Sequence, residues 1–546
     1  MRPILDVASD LGLTADELVL HGPHVAKLSF DATRKWSAQK PKARIVLVSA
    51  MSPTPKGEGK TTVSIGLAQG LKAIGRKAAL ALREPSLGPI FGAKGGGTGG
   101  GQCKVEPSAR INLHFTGDLH AITSAHNLLS SLADNALHFG VPAALDQRQV
   151  LWPRVLDMND RFLRQVVIGL GGKENGVPRE DRFDITAASE VMAILCLARG
   201  VADLKARLGR ILVGFSREGG AVTAQQLEAP GAMAALLADA LQPNLVQSTE
   251  GCPAFVHGGP FANIAHGCNS ILATRCAAAL ADFVITEAGF GFDLGAEKFL
   301  DIKCRTADVW PSAVVLVGTA KALRYHGGDT ALSAQGKDAL HAITRGMGNL
   351  EKQVDSARAF GFDPIVALNR FPDDAPEHLA AVESECKNRG IAIARFNGFA
   401  EGGAGAKALA ELVAAQAGPP APAPRFLYAL EDSPEKKIQT IATRIYGARS
   451  VSFSAQAKKD LERVAALDLT KLPVCIAKSH LSLSGDPKQL GRPTDFEFPI
   501  RQVRVSAGAG FMLALAGDIL TMPGLPKSPA GRGIDLTEGG EITGVG

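Results

Sequence analysis

The sequence predicts an α/β chain, a doubly wound, mostly parallel sheet followed by two smaller α/β or β-rich C-terminal domains. Three observations predict it. The run Arg44-Ile45-Val46-Leu47-Val48-Ser49-Ala50 is short, β-branched and almost continuously apolar, as a strand covered on both faces must be. After a Gly/Pro/Thr loop, Val63, Leu67, Leu71 and Ile74 recur at helical spacing, with Gly75 as the stop. A second buried run, Ala78-Ala79-Leu80-Ala81-Leu82, then completes strand, helix, strand, which requires a parallel sheet with a right-handed crossover.

The remaining elements follow in order. The first forty residues read as a helical lead-in that ends at the polar stretch 37–41. Apolar runs at 166–170, 211–215, 283–286, 314–317 and 365–368 predict further strands of the same sheet. Helical patterns such as Ser189-Glu190-Val191-Met192-Ala193-Ile194-Leu195 separate them. The proline-rich stretch 418–424 can be neither helix nor central strand and reads as a linker into a smaller, β-richer segment.

Bulk properties bound the function. At 546 residues the chain exceeds one core, and 46% apolar with 21% charged residues is ordinary for a globular protein. The net charge of +5 comes without an arginine-rich arm or a block of like charges, so nothing points to nucleic acid. Eight cysteines contain no C-x-x-C pair and several lie in apolar runs, which predicts buried reduced thiols and a cytoplasmic setting. No signal-peptide pattern and no membrane-length apolar run is present.

The chemistry starts at Thr54-Pro55-Lys56-Gly57-Glu58-Gly59-Lys60-Thr61-Thr62, between the first strand and its helix. That is the context of a nucleotide phosphate loop, or P-loop. Its N–H groups and the helix N-terminus make a concave anion site. Lys60 would reach the β- and γ-phosphates, and the Thr61 hydroxyl would ligate the magnesium of MgATP. Thr54 stands where the strict pattern has its first glycine, and an ordinary glycine-rich turn is the alternative.

Arg83 and Glu84 close the second strand. Carboxyl ends of parallel strands share one crevice, so both are expected beside the phosphate loop, Arg83 as a bidentate anion clamp. A surface ion pair is the alternative. Lys94-Gly95-Gly96-Gly97-Thr98-Gly99-Gly100-Gly101 carries glycines that each cost roughly 0.5–1 kcal/mol when fixed, so a ligand approaching the backbone is expected there. His114 and Asp118 follow in the patterned block 111–118. His257 and His266 lie in a glycine cluster at 257–267, and Asp293 in another at 287–295, both after apolar runs. Lys94, Gly95, Gly96, His114, Asp118, His257, His266 and Asp293 are therefore candidates to line the crevice.

In this order and spacing, the segments 54–62, 83–89, 94–101, 111–118, 159–161, 183–186, 257–270, 289–304 and 522–526 resemble formate–tetrahydrofolate ligase over nearly the whole chain. The length suits the bacterial single-function form. The resemblance implies that formate attacks the γ-phosphate of MgATP to give formyl phosphate and ADP. The N10 amine of tetrahydrofolate then attacks the formyl carbon, phosphate leaves, and 10-formyltetrahydrofolate results. It implies Lys60, Arg83 and Glu84 as the catalytic group and residues 54–62 as the ATP site. It places the folate between Phe371, in Asn369-Arg370-Phe371-Pro372, and Phe399, in Phe399-Ala400-Glu401-Gly402-Gly403.

The resemblance further implies polyglutamylated tetrahydrofolate as a substrate form, activation by potassium or ammonium, and a homotetramer. It divides the chain into a P-loop domain at 1–355, a folate-site domain at 356–424 and a C-terminal domain at 425–546. The sequence departs from the family pattern at several places. Phe399 and Glu401 replace Trp and Lys, and Glu106-Pro107-Ser108-Ala109-Arg110 replaces a stretch that typically ends Pro-Met-Glu-Asp. Phe292 replaces Ala, and Lys321 and Arg324 are exchanged. Three alternatives remain open: a P-loop ligase of dethiobiotin-synthetase type, a switch ATPase whose second loop lysine Lys56 would sit one place too late, and an inactive ligase.

Overall fold

One long sheet organises the molecule, and its strand order decides which side chains meet. The structure, a computed structural model, describes every residue except Lys56, Pro419, Pro420, Asp518 and Gly546. Lys56 of the expected ATP loop and the first two prolines of the expected linker thus lie outside the described residues.

The sheet contains β1 (Leu18–Leu20), β2 (Ala26–Leu28), β3 (Arg44–Ala50), β4 (Ala78–Leu82) and β5 (Asn244–Ser248). It continues with β6 (Pro253–Val256), β7 (Phe283–Glu287), β8 (Ala313–Gly318), β9 (Ile365–Asn369) and β10 (Ile393–Phe396). The spatial order is β1-β2-β5-β6-β4-β7-β3-β8-β9-β10. From β6 across to β10 every pairing is parallel. At the other edge, β1, β2 and β5 pair antiparallel. The central strands are buried on both faces, which is why they read as unbroken apolar runs.

Helix α1 (Lys60–Ala73) buries Val63, Leu67 and Leu71 against one face of this sheet. The strand–helix–strand unit is present within a residue of the predicted boundaries, but β3 and β4 are not neighbours: β7 lies between them. A crossover fixes handedness, not adjacency, and the intervening strand comes from far along the chain, where no local pattern can announce it.

Other expectations are corrected by burial. The lead-in is helical at Ile4–Leu11 and Phe30–Ala38, but the β1–β2 hairpin lies between those helices. The run at 166–170 becomes a short strand, Val166–Ile168, paired antiparallel with Arg179–Asp181 outside the main sheet. The run at 211–215 becomes Leu212–Ser216, the centre of a separate antiparallel sheet with Leu145–Val150 and Ala221–Thr223. An apolar run reports burial and does not say in which sheet.

Residues 356–424 supply β9 and β10 to the edge of the main sheet. The C-terminal segment has its own sheet of β11 (Val474–Ala477), β12 (Gln502–Ser506) and β13 (Phe511–Leu515), in the order β11-β13-β12. All eight cysteines are buried and unpaired. No helix among the described residues is long and apolar enough to cross a membrane.

Candidate active site

The carboxyl ends of β4, β7, β3 and β8 open onto one crevice, and the loop after β3 forms its floor. Glu58, inside that loop, is buried and holds it shut. Its Oε1 accepts the Thr54 N–H at 2.8 Å, and its Oε2 accepts the Thr319 hydroxyl at 2.6 Å. Its carbonyl accepts Asn369 Nδ2 at 3.0 Å. Glu58 therefore shapes the loop and leaves ligand contact to its neighbours. Gly59, the residue before α1, has φ +74°, and a Cβ there would stand 2.6 Å from Asn369 Nδ2, so only glycine fits.

Past Gly59 the side chains converge. The Thr61 hydroxyl donates to Glu287 Oε2 at 2.9 Å, and Arg83 Nη2 stands 3.7 Å from the other oxygen of the same carboxylate. Arg83 Nη1 donates to the Pro260 carbonyl at 3.4 Å, while its buried Nε has no partner among the described residues. Burial pushes the Lys60 ammonium down to about 8; Lys94 and Arg83 push the same way and Glu287 opposes them. Lys60, Arg83 and Lys94 thus crowd positive charge around one carboxylate. The sequence placed 287–295 at the rim but did not single out Glu287. The available signal was an apolar strand ending in an acid, in a sheet expected to carry a phosphate loop.

Glu84 lies just past the end of β4 and faces Asp118 and Lys27 rather than Glu287. It is buried, its Oε2 is unpartnered, and burial and Asp118 raise its pKa well above the ordinary carboxylate value. Asp118 is held by Lys27 Nζ at 2.8 Å and by Asn244 Nδ2 at 2.8 Å, a buried structural pair. His257 has both ring nitrogens bonded at 2.6 Å, to the Ser270 hydroxyl and the Ala240 carbonyl. His266 is buried with neither nitrogen bonded, and burial with surrounding cations drives it down to about 3. His114 is exposed. Asp293 is tied to Lys478 at 2.7 Å and to Gln353 Nε2 at 2.9 Å.

The glycine-rich stretch is ordered, not slack. The Gly97 N–H donates to Asn112 Oδ1 at 2.8 Å, and Asn112 Nδ2 donates to Thr98 Oγ1 at 3.0 Å. Lys94 before it is exposed, and Gly95 with Gly96 is half-buried. The Gln102 N–H donates to the Phe399 carbonyl at 2.9 Å, so the far end of this stretch docks on the predicted folate segment.

A family model described as formate–tetrahydrofolate ligase matches residues 1–546. A relative from Myxococcus xanthus (strain DK1622), described as formate–tetrahydrofolate ligase, is 56% identical over 550 positions, which cover 100% of this chain and 99% of the relative. This chain belongs to the formate–tetrahydrofolate ligase family.

The two aromatic residues expected of that family lie past the ends of adjacent parallel strands. Phe371 follows β9, Phe399 follows β10, and the Arg370 N–H donates to the Phe396 carbonyl at 3.0 Å. Phe399 is 48% exposed, so it is not a core residue. The Lys321–Arg324 exchange has a local account. Lys321 stands 4.7 Å over the Phe371 ring and pairs with Asp373, while Arg324 pairs with Asp329. Glu401 is exposed and accepts Asn397 Nδ2 at 2.7 Å. Arg110 donates to the His21 carbonyl at 2.7 Å, and Phe292 is fully buried.

The C-terminal segment reaches the same crevice, which nothing in its own sequence announces. Past the end of β11, Lys478 meets Asp293, and the His480 ring stacks on Phe290 at 4.4 Å. Phe290 holds φ +61°, a strained value for a side chain of that size. Burial, then Lys478, Lys94 and Lys60, drive His480 down to about 4, which places this ring near the cations around Glu287.

Proposed function

We propose that this chain joins formate to tetrahydrofolate in an ATP-driven reaction that passes through formyl phosphate and yields 10-formyltetrahydrofolate, ADP and phosphate. The observation that carries the reading is Glu287 shared between Thr61 and Arg83, with Lys60 and Lys94 around it. A carboxylate such as formate is a poor electrophile until its oxygen is phosphorylated. Phosphoryl transfer asks for anion clamps and a metal more than for an acid or base. The Thr61 hydroxyl and Glu287 carboxylate are hard oxygen donors, suited to the magnesium of MgATP, whose charge would offset that of the phosphates. Lys60 and the N–H groups of the loop would hold the β- and γ-phosphates, and Arg83 would clamp the transferred group. Phe371 and Phe399 would hold the folate rings, with Lys321 beside its anionic tail.

The division at 355 and 424 is proposed as a division of labour. Segment 1–355 supplies the anion clamps, 356–424 the aromatic pair, and 425–546 the Lys478–His480 support. A homotetramer, activation by potassium or ammonium, use of polyglutamylated folate and a cytoplasmic location are proposed on the family resemblance and on the buried free thiols. The test is formation of 10-formyltetrahydrofolate with formate, MgATP and tetrahydrofolate, each omitted in turn. Product in the absence of formate or ATP, or ATP hydrolysis indifferent to both other substrates, would overturn the proposal.

A further inference from the structure

A cavity of about 280 Å³ lies between the C-terminal segment and the block around residues 150–190. It is separate from the crevice: Lys60, Arg83, Glu287, Phe371 and Phe399 are not among its lining residues. Three guanidinium groups reach it, those of Arg182, Arg463 and Arg504. Arg504 donates through Nε and Nη2 to Gln502 Oε1 at 3.3 and 3.1 Å. Arg463 lies 4.9 Å from the Phe215 ring centre. Among the described residues, neither has a carboxylate at ion-pair distance. Arg182 Nε stands 3.6 Å from Asp184 Oδ1, an oxygen that already accepts the Thr521 hydroxyl at 2.6 Å.

The acids at this cavity are engaged elsewhere. Asp460 accepts Gln456 Nε2 at 2.7 Å and the Val503 N–H at 3.0 Å. Glu190 accepts the N–H groups of Gly508 and Ala509 at 2.8 and 3.1 Å, and burial raises it to about 7, so it carries only part of a charge at neutral pH. Arg463 and Arg504 are exposed at the cavity mouth and Arg182 is half-buried, so three guanidinium groups present donors at one wall, their charge partly offset by Asp184 and Asp460. Burial, then Arg182, lower the Arg504 pKa, and Asp184 and Asp460 oppose them. The rest of the wall is apolar, including Trp152, Leu212, Phe511 and Leu513.

We propose that this cavity binds a small organic phosphate monoester, with Arg182 and Arg504 forking onto the phosphate, Arg463 beside it, and the organic body against Trp152, Leu212 and Phe511. Planar guanidinium forks match phosphate oxygens in pairs. The volume lies at the lower limit of ligand sites, which admits one ring and excludes a nucleotide. The occupant would bridge β12 and β13 to the helix that begins at Glu190.

The test uses the full chain with its crevice saturated by MgADP, titrated calorimetrically and followed by thermal midpoint. The probes are phenyl phosphate, inorganic phosphate and phenol. Phenyl phosphate is expected to bind saturably and to raise the midpoint, as any ligand of the folded state must. Inorganic phosphate should bind more weakly and phenol not at all. Arg504→Gln should weaken phenyl phosphate by about tenfold, the loss of one fork. Adding Arg182→Gln should abolish binding, while ligation by the double variant stays unchanged. Absence of saturable heat, equal binding of phenol, or an affinity unaltered in Arg504→Gln would each overturn the proposal, the last by placing the phosphate elsewhere on the protein.

Discussion

Thr61 and Glu287, 226 positions apart in the chain, meet through one hydrogen bond of 2.9 Å at the mouth of the loop at 54–62. The contact exists because β7 enters the sheet between β3 and β4 and ends in an acid level with the first turn of α1. Arg83, at the end of β4, reaches the same carboxylate from the other side.

Glu287→Gln keeps an oxygen for the Thr61 hydroxyl and removes the charge. Ligation turnover should fall roughly 100-fold or more, on the scale of about 3 kcal/mol for one preorganised electrostatic contact. Circular dichroism should show an intact fold. Near-normal turnover would remove Glu287 from the chemistry and leave it a structural bridge.

Lys60 loses its proton as pH passes about 8, and with it the charge proposed to meet phosphate. The kcat/KM for ATP should therefore decline on the alkaline side with a midpoint near that value. Lys94→Ala removes a neighbouring cation and should move the midpoint upward. Lys60→Ala should abolish ligation in a folded protein. A midpoint indifferent to Lys94→Ala would show that another group titrates.

Phe399 lies against the glycine-rich stretch, and a Cβ on Gly101 would stand 2.0 Å from its carbonyl oxygen. Gly101→Ala must therefore displace Phe399. It should raise the KM for tetrahydrofolate and leave that for ATP unchanged. Phe399→Trp, at a half-exposed site that can take the larger ring, should lower the folate KM several-fold, since stacking contributes about 0.5–1.5 kcal/mol beyond burial. Folate kinetics unmoved by both variants would end the assignment at 399.

The Lys478–Asp293 pair is almost wholly buried. Lys478→Met strands the Asp293 carboxylate, and breaking a buried pair from one side costs about 3–5 kcal/mol. The thermal midpoint should drop clearly. The His480 ring should leave Phe290, which a nuclear magnetic resonance shift of His480 would report. An unchanged midpoint would mean that solvent reaches the pair.

The sequence made β3, α1 and β4 legible because each is a buried run punctuated by glycine or proline. It also located the loop at 54–62. It did not reveal strand order, and so it expected both Arg83 and Glu84 beside the loop at 54–62, when Glu84 lies toward Asp118. Asp118 and His257 read as crevice residues because their partners, Lys27 and Asn244 for one, Ser270 and the Ala240 carbonyl for the other, are invisible to local pattern. Lys478 and His480 were missed for the same reason: an isolated lysine or histidine after a strand carries no mark of what it will touch.

The position of β7 also governs how the chain must be made. Both neighbours of β3, namely β7 and β8, are translated long after the phosphate loop has left the ribosome. A nascent chain ending at β4 holds two strands that are not neighbours in the folded sheet, and a loop without Glu287 or Thr319 beside it. Parallel pairing over such separations is slow and leaves strand edges open in the meantime. On the proposed function, nucleotide would not act as an early ligand for a partly synthesised chain, and an N-terminal fragment that stops short of β8 is expected to bind ATP poorly. The ribosome must deliver most of the protein before the first half of its site exists.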